Sequence, residues 1–265
     1  MKFYRFGNED KPVIMLLPGT CCHWKTFSAV IPLLKDTFQV VCVSYDGFDE
    51  NEPDAIFPTM TEETEKIESY IKAKFGGRIF AAYGCSLGGS FVGLLIGREK
   101  IHIDHGFIGS SDLDQAGIVG ARIQSAIVKP VLGKAAHDGK LPEWMTNMML
   151  KKAEDPKEAE KTIKTFEKLF ASISFASEKS IYNQFYSDLV TTLKDNIRVE
   201  GTTVHIFYAL KMGEKYFDRY NKHFPDADIV ARDYSHEQLL MSYPEQWAQD
   251  IKRCCGLPFD EEKAL

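Results

Sequence analysis

The stretch Gly84-Cys85-Ser86-Leu87-Gly88 places a serine between two glycines, with an apolar run on either side. A serine in this setting has two readings. One is a nucleophile for acyl transfer, whose hydroxyl attacks a carbonyl carbon and holds the acyl group as an ester until an acceptor removes it. The other is a polar residue in a glycine-rich turn. Gly-x-Ser-x-Gly alone is weak, because ordinary glycine and serine frequencies produce it by chance in roughly one chain of this length in ten. Context separates the readings. A strand-like segment over residues 79–83 leads into the serine, and a helix-like segment leads out from Leu87. A sharp strand-to-helix turn raises a serine hydroxyl above a sheet. Such a turn needs neighbours without Cβ atoms, which Gly84 and Gly88 supply, while Gly88, Gly89 and Gly93 let the following helix pack close. Cys85 offers a competing thiol nucleophile. It holds a variable position of the motif, so its side chain should point away from the tip, and a buried cysteine behaves as a small hydrophobe.

The elements that must position Ser86 follow from hydrophobic periodicity. PVIMLLPGT reads as a buried strand ending at Gly19, and TFQVVCVSYDG as a second strand that exits at Asp46 and Gly47. Between them Trp24, Phe27, Val30, Ile31 and Leu34 recur at helical spacing and predict one helix. The next helix is punctuated at both ends: Thr59 and Glu62 stand at capping-box spacing, Ile67, Tyr70, Ile71 and Phe75 form the stripe, and Gly76 is the stop. RIFAAYG, the helix SLGGSFVGLLIGR and the strand IDHGFIGS continue the alternation. Short apolar strands alternating with helices predict a mostly parallel central sheet with helices on both faces. Residues 111–199 change texture to amphipathic helices. One is expected from an Asp155 cap and Pro156 through Ile163 and Ile173, others through Trp144 and Met148 and through Ile181 and Leu193. From Gly201 the strands TTVHIFYAL and ADIVARDY return, followed by a last helix through Trp247 and Ile251. The expected organisation is a core of residues 1–110 and 200–265 with an inserted helical cap, 111–199, and a cleft at the carboxyl ends of the strands.

On these residues the chain resembles the α/β-hydrolase superfamily over 10–110 and 200–265. The resemblance implies the α/β-hydrolase fold and a nucleophile, acid and base in that chain order, each on a loop after a strand. Ser86 takes the first role. His236, in ARDYSHEQLL just after a strand, takes the last, and it supplies the base without which a serine hydroxyl is a poor nucleophile near neutral pH. The acid departs from the family's pattern, in which Gly is often followed within three residues by Asp. Here Gly213 is followed by Glu214 and then Tyr216, so Glu214 is the first choice, with Asp112 and Asp218 as alternatives. The resemblance also implies an oxyanion hole made by the backbone N–H of Leu87 and a donor from LLPGTCCHW. In that loop Thr20 is the first choice and Cys21 the second, and Pro18 stands where relatives commonly have His. His23 is a candidate pocket wall, and His137 and His223 read as surface residues.

Composition narrows the field. The chain has 265 residues, 44% hydrophobic and 26% charged, and a formal net charge of -6, which gives no general attraction to nucleic acid. No apolar run approaches the roughly 18–20 residues a membrane span needs. The N-terminal stretch lacks a secretory layout, so cytoplasmic residence and reduced cysteines are the expectation. No Cys/His spacing suited to zinc and no phosphate-binding glycine loop stands out, so no cofactor or metal is expected. The partner is then a small-molecule acyl substrate, and Trp144, Met145 and Met148 are candidates to roof an apolar acyl pocket. The leading expectation is a serine hydrolase of the carboxylesterase kind, cleaving a small or medium apolar ester or related acyl bond. An acyltransferase with the same nucleophile and a non-catalytic ligand-binding protein are the alternatives.

Overall fold

The computed structural model of the chain describes residues 1–111, 113, 115–152 and 156–264. At its centre lies one seven-stranded sheet made of β1 (Lys2–Phe6), β2 (Val13–Leu17), β3 (Gln39–Ser44), β4 (Arg78–Cys85), β5 (His102–Gly109), β6 (Thr203–Ala209) and β7 (Asp228–Arg232), in the order β1-β3-β2-β4-β5-β6-β7. β1 runs antiparallel to β3, and the other pairings are parallel. Alternate residues of a strand face opposite sides of a sheet, and here both sides are buried. Ile14, Leu16, Val40, Cys42, Ala81 and Tyr83 pack on one face, and Met15, Leu17, Val41, Val43 and Ala82 on the other. This double burial is why the strands read as continuous apolar runs.

The helices among the described residues are α1 (Ile31–Leu34), α2 (Met60–Phe75), α3 (Leu87–Arg98), α4 (Ile118–Asp138), α5 (Glu143–Lys152), α6 (Pro156–Ala171), α7 (Glu178–Val190), α8 (Lys215–His223), α9 (Gln238–Ser242), α10 (Pro244–Cys254) and α11 (Glu261–Ala264). α2 and α3 cover one face of the sheet through Ile67, Ile71, Phe91 and Leu95, and α1 and α10 cover the other through Ile31, Leu34, Trp247 and Ile251. The caps of α2 are those its sequence predicts. Thr59 Oγ1 accepts the Glu62 N–H at 3.2 Å and its hydroxyl donates to Glu62 Oε1 at 3.0 Å, while Gly76 takes the left-handed conformation at φ 63°.

Two local features differ from the sequence expectation. The N-terminal segment KFYRF is an edge strand, held by aromatic contacts: Phe3 stacks on Tyr70 at 3.7 Å, and Tyr4 lies on Trp24 at 4.8 Å. The single helix expected over Trp24 to Leu34 is instead a 3₁₀ turn, Trp24–Phe27, followed by the short α1. Pro32 stands in the first turn of α1, where its missing N–H is tolerated, and it withholds the bond that would join this turn to the one before, so the helix restarts there. The stripe still does its packing, since Phe27, Val30, Ile31 and Leu34 are all buried.

Between β5 and β6 the chain forms α4–α7, with α4 packed against α6 and α7. Ile163 of α6 and Ile173 just beyond it are buried as their spacing predicts. The expected cap residue Asp155 and the alternative triad acid Asp112 lie outside the described residues. α7 buries Ile181 in the core, and it also carries buried polar side chains that meet loop backbone. Gln184 Oε1 accepts the Cys21 N–H at 2.8 Å, Ser180 Oγ the Phe57 N–H at 3.2 Å, and Ser187 Oγ the Met60 N–H at 3.2 Å. Leaving these backbone N–H groups buried without partners costs about 1–3 kcal/mol each, so the three bonds fix how α7 sits against the loops after β2 and β3 and the start of α2. No helix among the described residues is long and apolar enough to cross a membrane.

Candidate active site

Ser86 joins the end of β4 to the start of α3 with φ 51° and ψ −119°. A side-chain-bearing residue in so sparsely populated a region costs about 1–3 kcal/mol and persists only where its surroundings impose it. The Ser86 N–H donates to Gly109 O at 2.8 Å and the Gly89 N–H to Ser86 O at 2.8 Å, which clamps the turn from both sides. The flanking glycines are sterically required. A Cβ on Gly84 would lie 1.9 Å from Gly88 O, and one on Gly88 would lie 2.1 Å from Leu17 O. Those are backbone atoms of the sheet and of the turn itself and have nowhere to move. Cys85 is buried in the core, and burial pushes its thiol well above the ordinary thiol range, which disfavours the thiolate a nucleophilic cysteine needs.

The loop after β2 lies against the turn, since a Cβ on Gly19 would stand 3.4 Å from Ser86 Cβ. Its possible donors are sorted by their partners. The Cys21 N–H is taken by Gln184 Oε1 and the Cys22 N–H by Gly19 O at 3.2 Å, which removes the second-choice donor Cys21. Thr20 sits between these, half-buried. Leu87 is the first residue of α3, so its N–H has no acceptor within the helix.

The loops after β6 and β7 run side by side, joined by the Lys211 N–H donating to Tyr234 O at 3.2 Å. This brings the segment with Glu214 beside the segment with His236. Within the second loop, adjacent residues face opposite ways. His236 is exposed, whereas Glu237 is buried and takes a left-handed conformation at φ 57°, its N–H donating to Ser110 Oγ at 3.2 Å. Glu237 was not singled out by sequence reasoning, and no signal in the sequence distinguishes it from its neighbour. Its carboxyl is buried beside Ser86, Tyr83, Cys85 and Cys22, and its Oε1 has no hydrogen-bond partner. Desolvation pushes its pKa from 4.5 up to about 8, partly offset by the Ser86 N–H, whose principal acceptor is Gly109 O. The carboxyl that the structure packs against the turn is therefore a neutral acid near pH 7.

Glu214 stands in the loop after β6 as predicted and is exposed at the start of α8, and Asp218 is exposed in the first turn of that helix. A small cavity of about 20 Å³ lies between the ends of β5, β6 and β7, walled by Ser110, Tyr83, Phe207, Tyr208, Arg232 and Glu237 among others, and Ser86 is not part of its lining. Trp144 and Met148, expected to roof a pocket, are 59% and 43% exposed. His23 works as a pin rather than a pocket wall. The Ser172 hydroxyl donates to Leu169 O at 2.6 Å, so it accepts from His23 Nε2–H at 2.6 Å, and burial holds the imidazole neutral with a pKa down to about 4. His223, read from the sequence as a surface residue, is buried with Nδ1 donating to Lys194 O at 2.9 Å.

A parallel sheet of this order with a strained serine between β4 and α3 defines the α/β-hydrolase fold, and the chain has it. Among solved structures it is similar to an α/β-hydrolase family protein from Desulfitobacterium hafniense, at 17% identity over 95% of this chain and 99% of that one with a TM-score of 0.75. It is also similar to a thermophilic esterase from Thermogutta terrifontis (16% identity, 95% and 91% covered, TM-score 0.71). A third likeness is to an enol-lactonase from Burkholderia xenovorans (14% identity, 96% and 96% covered, TM-score 0.69). The sequence matches no family model and no curated protein sequence.

Proposed function

We propose that this protein is a hydrolase that cleaves a small or medium apolar carboxylic ester, or a related acyl bond, through an acyl-enzyme on Ser86. The observation that carries the reading is the backbone of Ser86, held at φ 51° and ψ −119° between glycines that admit no Cβ. Strain of that kind without a functional return is hard to account for. The esterase and lactonase names of the structural neighbours support the same class.

In this reading Ser86 Oγ attacks the carbonyl carbon while His236 takes its proton, and Glu214 orients the imidazole and balances its charge. The N–H groups of Leu87 and Thr20 stabilise the oxyanion of the tetrahedral intermediate, each such donor contributing about 3 kcal/mol. Collapse expels the alcohol, which receives the proton from His236, and water then repeats the cycle to release the acid. Residues 111–199 serve as a cap over the strand ends, and the protein works in the cytoplasm without a cofactor.

The exposed positions of His236 and Glu214 favour a second reading, a ligand-binding protein without turnover. Fluorophosphonate labelling separates the two. The wild type is expected to label and Ser86→Ala not to, with His236→Ala slowed at least 100-fold. An unlabelled wild type, or an ester ligand recovered intact after long incubation, would establish the binding reading instead.

A further inference from the structure

A second cluster of chemistry-bearing side chains lies toward the amino ends of β5, β6 and β7, away from Ser86 at the carboxyl end of β4. His205 is buried, with Nδ1 3.1 Å from Asp228 Oδ2 and Nε2 3.2 Å from His105 Nδ1. Cys254, the last residue of α10, completes the group. One donor atom each from His205, Asp228 and Cys254 lies within 4.8 Å of the others.

The framework behind these groups is stiff. His205 and Asp228 are register partners in the parallel β6–β7 pair, so their separation is set by the ladder. The Phe107 ring stacks on the His205 imidazole at 4.6 Å and 20°, and the Phe80 ring lies 5.0 Å from that of His105, so both imidazoles are held in orientation. Nearby Arg232 and Arg253 are both engaged by the buried carboxylate of Asp250, at 2.9 and 3.2 Å.

We propose that His205, Asp228 and Cys254 form a zinc site, with His105 as the outer partner of His205, and that the metal pins the end of α10 to β6 and β7. A thiolate, an imidazole and a carboxylate suit Zn²⁺, with bonds of about 2.0 to 2.3 Å that set tetrahedral donor atoms roughly 3.5 Å apart. The cluster closes to that spacing by about 1 Å, which a rotation of Cys254 at the helix end and of the half-exposed Asp228 carboxylate supplies. The second Asp228 oxygen or a water fills the fourth position. With zinc on Nδ1, His205 carries its proton on Nε2 and donates it to His105 Nδ1, the arrangement by which an outer hydrogen bond fixes a ligand's tautomer. Binding replaces the Cys254 S–H bond by a Zn–S bond and releases one proton to solvent, with no change of oxidation state.

Equilibrium dialysis of the full chain against buffered Zn²⁺, followed by metal analysis, tests the site. One zinc per chain is expected. Cys254→Ser and His205→Gln should weaken it more than 100-fold, His105→Phe by about 10- to 100-fold, and Cys255→Ser not at all. Cobalt(II) substitution should give a thiolate charge-transfer band in the wild type that Cys254→Ser loses. Cys254 sits half-exposed at a helix end, so this variant carries the test if His205→Gln fails to fold. Absence of stoichiometric zinc, or zinc held equally well by Cys254→Ser, overturns the proposal.

Discussion

Replacing Glu237 by Gln keeps the shape of a buried side chain and removes its ability to ionise. The wild-type carboxyl has a folded pKa of about 8 against 4.5 when unfolded. Between these values the folded protein holds a proton that the unfolded chain has released, so stability is lost progressively as pH rises from about 4.5 through about 8. Each pH unit in that window is worth about 1.4 kcal/mol. The loss relative to an always-neutral side chain is then about 3 kcal/mol at pH 7 and about 5 kcal/mol above pH 8. No solvent screening reduces it, because the carboxyl is wholly buried. Glu237→Gln should therefore be more stable than the wild type by those amounts and equal to it near pH 4. Urea unfolding at pH 4.5, 7 and 8.5, with unchanged dependence on denaturant, measures the difference directly. A gap that does not change with pH across that range would refute the reasoning, since it would mean that the carboxyl ionises at its ordinary pH. If Ser86 is the nucleophile, the same ionisation places a negative charge beside the developing oxyanion. Ester turnover by the wild type should then fall above pH 8, and that of Glu237→Gln should not.

Three further substitutions probe the scaffold. Gly88→Ala puts a Cβ 2.1 Å from Leu17 O, so it should displace the Ser86 turn, abolish fluorophosphonate labelling and destabilise the fold by about 3 kcal/mol in urea unfolding. Trp247→Ala empties a fully buried site against Tyr83, whose ring it meets edge-on at 4.7 Å, and should cost about 3–5 kcal/mol by the same measurement. Gln184→Ala strands the buried Cys21 N–H and should cost about 1–3 kcal/mol; hydrogen exchange at Cys21 and Cys22 should accelerate as the loop after β2 comes free of α7.

Much of the core was legible because its signals are local. The parallel strands announce themselves as short apolar runs, the caps of α2 need only residues within one turn, and the strained turn at Ser86 needs glycines within two or four positions of it. β1 was less so: its half-exposed aromatic residues gain their role from Tyr70, Trp24 and Asp49, which other segments bring to them. The helix stripe from Trp24 to Leu34 predicted the buried face correctly and the helix itself wrongly, because periodicity reports burial whereas Pro32 controls the backbone.

The amino-acid sequence by itself determined the alternation of strands and helices, and with it the sheet and the position of Ser86 at a strand's carboxyl end. Each of those follows from interactions between residues a few positions apart. Tertiary structure alone decided that Glu237 turns inward and His236 outward. Neighbours in a loop have no periodicity to sort them, and the left-handed turn at Glu237 is tied down by Ser110 from a different strand end. It alone also assembled His105, His205, Asp228 and Cys254, whose separations along the chain carry no ligand spacing, because their proximity is a product of sheet register and of where α10 ends.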